Sequence, residues 1–221
     1  MRILVIGDVH GCYYTLKELV ETYWDPEQDY LIQLGDLINK GPHSALCVRY
    51  WLRLEEKYPY QVFLLRGNHE QMYINGSSRK VKPAMVNRLN KGFKSLKLDP
   101  KKVLNWLSKK PLKWETPNVL ISHAGVNKFV RQPFSHTNNR GVLYNRSPLK
   151  DIGKLQVIGH AVVKGNKPVF STKENAWRID TGAVSKGFLS AVRLSYDVKQ
   201  VEVVRIERSE QDVVSSPVSI I

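Results

Sequence analysis

Short polar segments that follow apolar runs hold most of the side chains in this sequence that could do chemistry. Five segments share this arrangement: GDVHG at residues 7–11, GDLINKG at 35–41, RGNHE at 66–70, SHAG at 122–125 and GH at 159–160. Four of the six histidines lie in them. Each segment alone is also typical of a structural turn, but the five together indicate a metal-dependent site, because carboxylate and imidazole groups suit Mn, Fe, Zn and similar ions.

The candidate ligands outnumber what one ion needs. The polar side chains in the five segments are Asp8, His10, Asp36, Asn68, His69, His123 and His160. Two ions about 3.5–4 Å apart can hold both oxygens of an in-line displacement at phosphorus and can supply a hydroxide nucleophile. Two divalent ions carry more charge than two aspartates and a hydroxide neutralise, and Lys40, Arg66 and Arg146 add to the excess. The site should therefore prefer a phosphoryl group.

Hydrophobic periodicity predicts the elements that must position these side chains. We expect helices at residues 13–23, 42–58, 83–94 and 100–109, and strands at 1–6, 30–34, 61–65, 119–122, 156–158, 176–179, 188–194 and 201–206. The first third alternates strand, helix and strand, which is typical of a buried parallel sheet. Ligands bind beyond the carboxyl ends of such strands, where the five polar segments lie. We expect one domain over residues 1–206 and a loosely ordered tail at 207–221.

Composition excludes several classes of protein. The chain has 221 residues, of which 42% are hydrophobic, so it can bury a sizeable core. It contains no run of 18 apolar residues, so we expect no membrane span. Two cysteines, Cys12 and Cys47, cannot form a disulfide framework, which favours a reducing, cytoplasmic location.

The positive charge is concentrated in one region. The net charge is +14, and residues 79–113 hold twelve Lys or Arg against a single acid, Asp99. Such a segment is typical of a solvated helical face. It is equally typical of a surface that attracts phosphate-rich partners such as nucleic acid, and charge alone does not decide between the two.

The five motifs, in this order, resemble those of the phosphoprotein phosphatase superfamily of metallophosphoesterases over about residues 2–194. RGNHEQM at 66–72 and IDTGAV at 179–184 are similar to the protein phosphatases of the bacteriophage lambda type. GDLINKGPHS at 35–44 and LNWLSKKPL at 104–112 are more similar to the symmetrical diadenosine tetraphosphate hydrolases and ApaH-like phosphatases. The resemblance implies an α/β calcineurin-like metallophosphoesterase fold, in which two mixed β-sheets pack face to face with helices outside.

The resemblance also implies a role for each matching residue. The implied metal ligands are Asp8, His10 and Asp36 for one ion, and a bridging Asp36 with Asn68, His123 and His160 for the other. His69 is then the general acid that protonates the leaving oxygen, while Lys40, Arg66 and Arg146 hold phosphate, with Asn39 beside them in the substrate-binding loop. The implied cofactor is a pair of divalent ions, manganese in the first place, with iron, zinc, nickel and cobalt as alternatives.

The chain departs from the common family pattern at Asn39 and Lys40, where that pattern has an acid and an arginine. The acid in the pattern partners the catalytic histidine, and a neutral amide cannot favour a protonated imidazole by charge. Unless Glu70 or another acid replaces it in space, His69 should be a weaker proton donor. Lysine is also a flexible point charge that lacks the bidentate fork of arginine, which suits a longer polyphosphate chain.

These departures lead to a hypothesis about the substrate. A serine alkoxide is a poor leaving group that needs a proton, whereas a phosphate with a pKa of about 6 needs it much less. We therefore expect a phosphoanhydride hydrolase that acts on diadenosine tetraphosphate or capped RNA ends. A serine/threonine protein phosphatase like the lambda enzyme is the alternative. A non-catalytic nucleic-acid-binding protein that keeps the fold is a third interpretation.

Overall fold

Two β-sheets form the centre of the molecule in this computed structural model, which describes residues 1–76 and 83–213. The strands are β1 (Arg2–Ile6), β2 (Asp29–Gln33), β3 (Val62–Leu64), β4 (Lys113–Glu115), β5 (Val119–Ser122), β6 (Leu155–Ile158), β7 (Val169–Ser171), β8 (Ala176–Arg178), β9 (Phe188–Ser195) and β10 (Val201–Glu207). The α-helices are α1 (Tyr13–Tyr23), α2 (Ser44–Lys57), α3 (Asn68–Gly76), α4 (Pro83–Ser95) and α5 (Pro100–Ser108).

Both sheets are mixed, as the resemblance implied. The first has the order β10-β9-β1-β2-β3 and the second the order β4-β5-β6-β8-β7. In the first sheet, β1, β2 and β3 are parallel, β9 runs antiparallel beside β1, and β10 runs antiparallel beside β9. In the second sheet, β5, β6 and β8 are parallel, and the short strands β4 and β7 close the two edges in the antiparallel sense.

The central strand β1 is buried on both faces, because side chains alternate along a strand. Ile3 and Val5 belong to the apolar layer between the two sheets, together with residues of the second sheet such as Ile121 and Val157. Leu4 and Ile6 instead face the helical side of the core. The apolar run that predicted a buried strand therefore reflects a sheet covered by a second sheet on one side and by helices on the other.

The predicted helices and strands are confirmed within one or two residues at nearly every boundary. The prediction missed helix α3 and strands β4 and β7. Helix α3 begins with polar site residues and has a weak apolar stripe, while β4 and β7 are three-residue edge strands with too few residues to show a period. No helix in the described ranges is both long enough and apolar enough to cross a membrane.

Asp212, in the segment predicted to be a loosely ordered tail, packs against the start of helix α1. Asp212 is buried, and its carboxylate accepts hydrogen bonds from the backbone N–H of Tyr14 at 3.2 Å and from the N–H and hydroxyl of Thr15 at 2.8 and 2.7 Å. The residue before α1, Cys12, provides no side-chain cap, so Asp212 caps this helix from the opposite end of the sequence. Residues 207–213 of the predicted loose tail are therefore held in the described structure, and residues 214–221 lie outside those described. The extent of the single domain stays a prediction.

Candidate metal centre

The carboxylate of Asp36 lies at the centre of the candidate site. Its Oδ2 is 3.5 Å from His10 Nε2, 3.5 Å from His123 Nε2 and 3.9 Å from His69 Nε2. Its Oδ1 accepts a hydrogen bond from the backbone N–H of His69 at 2.8 Å. One oxygen is thus fixed by the backbone while the other faces three imidazoles, which is the arrangement that a carboxylate shared by two ions requires.

The residues predicted for the second ion come together. Asn68 Oδ1 lies 2.9 Å from His123 Nε2 and 3.0 Å from His160 Nδ1. The donor atoms of Asp36, His123 and His160 all lie within 4.8 Å of one another. One amide oxygen, one carboxylate oxygen and two imidazole nitrogens therefore lie close together, and their role as ligands of one ion stays a prediction.

The residues predicted for the first ion are also neighbours, but His69 stands among them. The donor atoms of His10, Asp36 and His69 lie within 4.8 Å of one another. Asp8 is buried beside this group, and both its oxygens are 3.2 Å from the backbone nitrogen of His160. The group whose donor atoms lie together contains His69, whereas Asp8 lies against the backbone of His160, so the assignment of Asp8 as ligand and His69 as acid stays a prediction.

Two glycines let the site loops approach one another. A Cβ atom added to Gly159 would lie 2.0 Å from Asp8 Oδ1, and one added to Gly67 would lie 2.3 Å from both the nitrogen and the Oδ1 of Asp36. Any larger residue would push the ligand-bearing loops apart. The glycines of these motifs are therefore required by packing of loop against loop.

Several site residues also adopt backbone conformations that side chains rarely take. In the described part of the chain, the non-glycine residues of the polar segments with left-handed φ angles are His10 (49°), Asp36 (58°), Asn39 (74°), Lys40 (64°) and His160 (67°). Each such residue costs about 1–3 kcal/mol and persists only where its surroundings impose it. This concentration of strain in loops that carry candidate ligands is typical of a functional site.

Glu70 holds the backbone of two of these strained loops in place. It is fully buried, and its Oε2 accepts hydrogen bonds from the backbone N–H groups of Asp36 at 2.7 Å and Gly67 at 2.9 Å, while Oε1 accepts from Ile38 at 3.2 Å. The sequence left open whether Glu70 replaces the family's acid as the partner of His69. The structure corrects this, because the carboxylate serves the backbone of two loops and leaves His69 to another partner.

That partner is the amide of Asn39. Asn39 Nδ2 lies 2.7 Å from His69 Nδ1 and 3.1 Å from the sulfur of Met85, while its Oδ1 receives a hydrogen bond from the guanidinium of Arg88. Every polar atom of this buried side chain is therefore engaged, and its predicted contact with substrate stays a prediction. Sequence reasoning missed Met85 and Arg88, which belong to helix α4 and lie 46 and 49 residues away along the chain.

The three predicted phosphate-binding cations differ in how they are held. Lys40 Nζ lies 2.7 Å from His10 Nε2. The guanidinium of Arg66 donates to Gln71 Oε1 at 3.0 Å and to the carbonyls of Lys110 and Ser108, and its buried Nε has no hydrogen-bond partner among the described residues. Arg146 is exposed. The role of each in binding phosphate stays a prediction.

Burial and charge together make this a site that needs cations. Burial, then the charges of Asp180 and Asp36, raises the pKa of Asp8 well above its ordinary value, and burial followed by Glu70 raises that of Asp36. Burial lowers the pKa of His160 to about 4, with help from the charges of Arg146 and Lys40. Buried carboxylates are costly unless a positive charge compensates them, and neutral imidazoles can bind metals.

Burial likewise lowers the pKa of His69 to about 4, with smaller contributions from Lys40 and His160. His160 Nδ1, 3.0 Å from Asn68 Oδ1, is the ring nitrogen that faces the other candidate ligands, while Nε2 is buried without a hydrogen-bond partner in the described ranges. The carboxylate, amide and imidazole groups present therefore fit divalent metal ions.

Comparisons with known proteins identify a family that this chain matches and several of its relatives. A family model described as calcineurin-like phosphoesterase matches residues 1–189. Serine/threonine-protein phosphatase 1 of Salmonella typhimurium is 45% identical over 75 residues, which are 34% of this chain and 32% of that protein. A symmetrical bis(5'-nucleosyl)-tetraphosphatase of Edwardsiella ictaluri is 32% identical over 135 residues, which are 58% of this chain and 44% of that protein. The match thus spans less than half of each relative.

Solved structures show the same fold at low sequence identity. A serine/threonine phosphatase of Saccharomyces cerevisiae with similarity to human phosphatase PP5 has a TM-score of 0.68 at 14% identity, over 95% of this chain and 81% of that one. A crystal structure provisionally named a diadenosine tetraphosphatase has a TM-score of 0.64 at 22% identity, over 92% and 93%. These likenesses establish the fold and leave the substrate open.

A shared Asp36 makes a prediction about metal content. Asp36→Ala removes a ligand from both groups, so the protein reconstituted with Mn²⁺ should retain less than about one equivalent of metal, against about two for the wild type. His123→Ala removes a ligand from one group and should retain about one. Plasma mass spectrometry after desalting measures the content, and His136→Ala, at an exposed histidine outside the site, is the control. Equal metal content in Asp36→Ala and the control would contradict the shared ligand.

Proposed function

The chain belongs to the calcineurin-like phosphoesterase family, and from that premise we propose that it is a metal-dependent phosphohydrolase of phosphoanhydrides, such as diadenosine tetraphosphate or capped RNA ends. The observation that carries the choice of substrate is the amide of Asn39, 2.7 Å from His69 Nδ1. The common family pattern has a carboxylate in this place.

The partner of His69 decides how much help a leaving group receives. A carboxylate at Nδ1 accepts a hydrogen from the ring and so favours the doubly protonated form, which can give a proton from Nε2. Within the described ranges, the carboxylate nearest to His69 is that of Asp36, which faces Nε2, while Glu70 is bound to backbone amides. The site therefore suits a leaving group that departs without a full proton transfer, and a phosphate or nucleotide is such a group.

The ligands and cations of the site have complementary tasks. When bound, two divalent ions would supply Lewis acidity for the phosphoryl oxygens and for the attacking water. Asp8, His10 and Asp36 would hold one ion, and Asp36 with Asn68, His123 and His160 the other; we propose manganese for both. Lys40, Arg66 and Arg146 would neutralise the remaining phosphate oxygens, and the flexible charge of Lys40 suits a chain of several phosphates.

A serine/threonine protein phosphatase is the second candidate, favoured by the 45% identity to the Salmonella typhimurium phosphatase. The tetraphosphatase of Edwardsiella ictaluri aligns over 58% of this chain, whereas that phosphatase aligns over 34%. The longer alignment and the Asn39 amide both favour the anhydride. Cys12 and Cys47 are free and buried, which fits the cytoplasmic location that we propose.

A substrate comparison tests this function. The purified protein with Mn²⁺ should hydrolyse diadenosine tetraphosphate with a higher kcat/KM than a phosphoserine peptide. Asn39→Asp combined with Lys40→Arg restores the common family residues and should shift the ratio towards the phosphopeptide, and the two single variants separate the effect of the acid from that of the guanidinium. A wild type that prefers the phosphopeptide, or a ratio that no variant changes, would refute the proposal.

We also infer that the basic region helps to capture polyanionic substrates such as RNA. In the described part of residues 79–113, the exposed lysines on and between α4 and α5 are Lys91, Lys94, Lys97, Lys101, Lys102 and Lys109. Arg88 and Lys110 are instead engaged with Asn39 and Glu55. Arg79, Lys80 and Lys82 lie outside the described residues. These six lysines form no ion pair with the described residues, so they give a surface that can attract a phosphate backbone.

Salt dependence measures this contribution. Lys101→Glu combined with Lys102→Glu should lower kcat/KM for a capped RNA and reduce the steepness of its dependence on salt by about one unit or more in the log–log slope. Hydrolysis of the shorter diadenosine tetraphosphate should change much less. Equal losses on both substrates, or an unchanged salt slope, would show that these lysines do not bind the RNA.

A further inference from the structure

Arg88, a residue of the basic region, contacts another side chain of the protein as well as solvent. Arg88 lies on helix α4, three residues after Met85, so both project from the same side of the helix. Both reach the side chain of Asn39, Met85 through its sulfur and Arg88 through its guanidinium. The Asn39 backbone is held as well, since its N–H donates to Ser44 Oγ at 2.9 Å. Helix α4 therefore fixes the residue that contacts His69.

The chemistry of the guanidinium decides the orientation of the Asn39 amide. Arginine has only hydrogen-bond donors, so the amide atom that faces Arg88 must be the acceptor Oδ1. The NH₂ group then points to His69 Nδ1 and to Met85, both of which can only be acceptors for it. An asparagine without Arg88 could rotate its amide and present either atom to the histidine. Arg88 removes that freedom.

The orientation of the Asn39 amide determines which nitrogen of the His69 ring carries the hydrogen. Because the amide nitrogen donates to Nδ1, Nδ1 accepts, and the hydrogen of the neutral ring lies on Nε2. Nε2 is the atom that faces the centre of the site, 3.9 Å from Asp36 Oδ2. The ring can thus donate a hydrogen bond to an oxygen in the site, and no carboxylate at its other nitrogen supports release of a proton.

We propose that Arg88 is a positioning residue that sets the leaving-group preference of the site by locking the Asn39 amide, so that His69 presents a hydrogen-bond donor at Nε2. A hydrogen bond stabilises the charge that develops on a departing phosphate oxygen, whereas an alkoxide needs the proton itself. The consequence for substrate preference rests on the proposed phosphohydrolase function. The consequence for the histidine ring does not, and it can be measured separately.

Nitrogen NMR of the ring provides that measurement. In the full chain loaded with diamagnetic Zn²⁺ and labelled with ¹⁵N-histidine, we expect His69 Nδ1 to show the shift of an unprotonated nitrogen and Nε2 that of a protonated one. His69→Gln assigns the signals. Arg88→Met, which keeps the length and helix propensity of the side chain but no donor, should move His69 towards a ring with hydrogen on Nδ1. Arg88→Lys should keep the wild-type pattern, because an ammonium also only donates.

Kinetics provide the second arm. Arg88→Met should lower the ratio of kcat/KM for diadenosine tetraphosphate to kcat/KM for a phosphoserine peptide by roughly threefold or more. Arg88→Lys should rescue the ratio, and Arg53→Met, at an exposed arginine on helix α2, should leave both the spectra and the ratio unchanged.

The outcomes separate the two proposals. A wild-type spectrum with hydrogen on Nδ1, which needs no variant, overturns the role of Arg88, and so does an Arg88→Met protein with unchanged spectrum and ratio. A wild type that cleaves phosphopeptides but not diadenosine tetraphosphate overturns the proposed substrate, while the spectra still decide whether Arg88 sets the ring.

Discussion

The hydrogen bonds from three backbone amides to the buried carboxylate of Glu70 hold the whole site in place. They join the loop after β2, through Asp36 and Ile38, to the loop after β3, through Gly67. Hydrogen bonds to a charged acceptor are about twice as strong as neutral ones. With the loops fixed in this way, the N–H of His69 occupies Asp36 Oδ1, and Oδ2 is left to face three imidazoles. Both groups of candidate metal ligands depend on that one orientation.

Patterns within short stretches of sequence predicted the features that depend on neighbouring residues. Apolar runs predicted the strands, and the motifs after them predicted polar side chains at one edge of the sheet, of which the structure brings together His10, Asp36, Asn68, His69, His123 and His160. What escaped prediction spans the sequence: Asp212 caps a helix 197 residues earlier, and Arg88 reaches Asn39 across 49 residues. Neither contact leaves a period or a motif. The sequence leaves open whether Glu70 replaces the acid beside His69, because a sequence does not show which way a buried carboxylate turns.

The positive charge of the chain serves two ends in this account. The lysines on α4 and α5 are solvated and act at a distance, where salt screens them. Arg88, from the same segment, acts at contact by orienting one amide. The distinction explains why a count of charges could favour a polyanionic substrate without showing how the substrate's leaving group is chosen. Of the two departures from the family pattern, Asn39 receives the contact from Arg88, and Lys40 adds a positive charge beside it.

The central claim is that the site expels its leaving group without a full proton transfer from His69. The most direct test is the dependence of kcat/KM on the leaving-group pKa across aryl phosphates with phenol pKa values from about 5 to about 10. For the wild-type protein, we expect kcat/KM to decline steeply as the leaving-group pKa rises. For Asn39→Asp, which restores the carboxylate, we expect a shallower decline. Equal slopes for the two proteins, with the wild type already shallow, would contradict it.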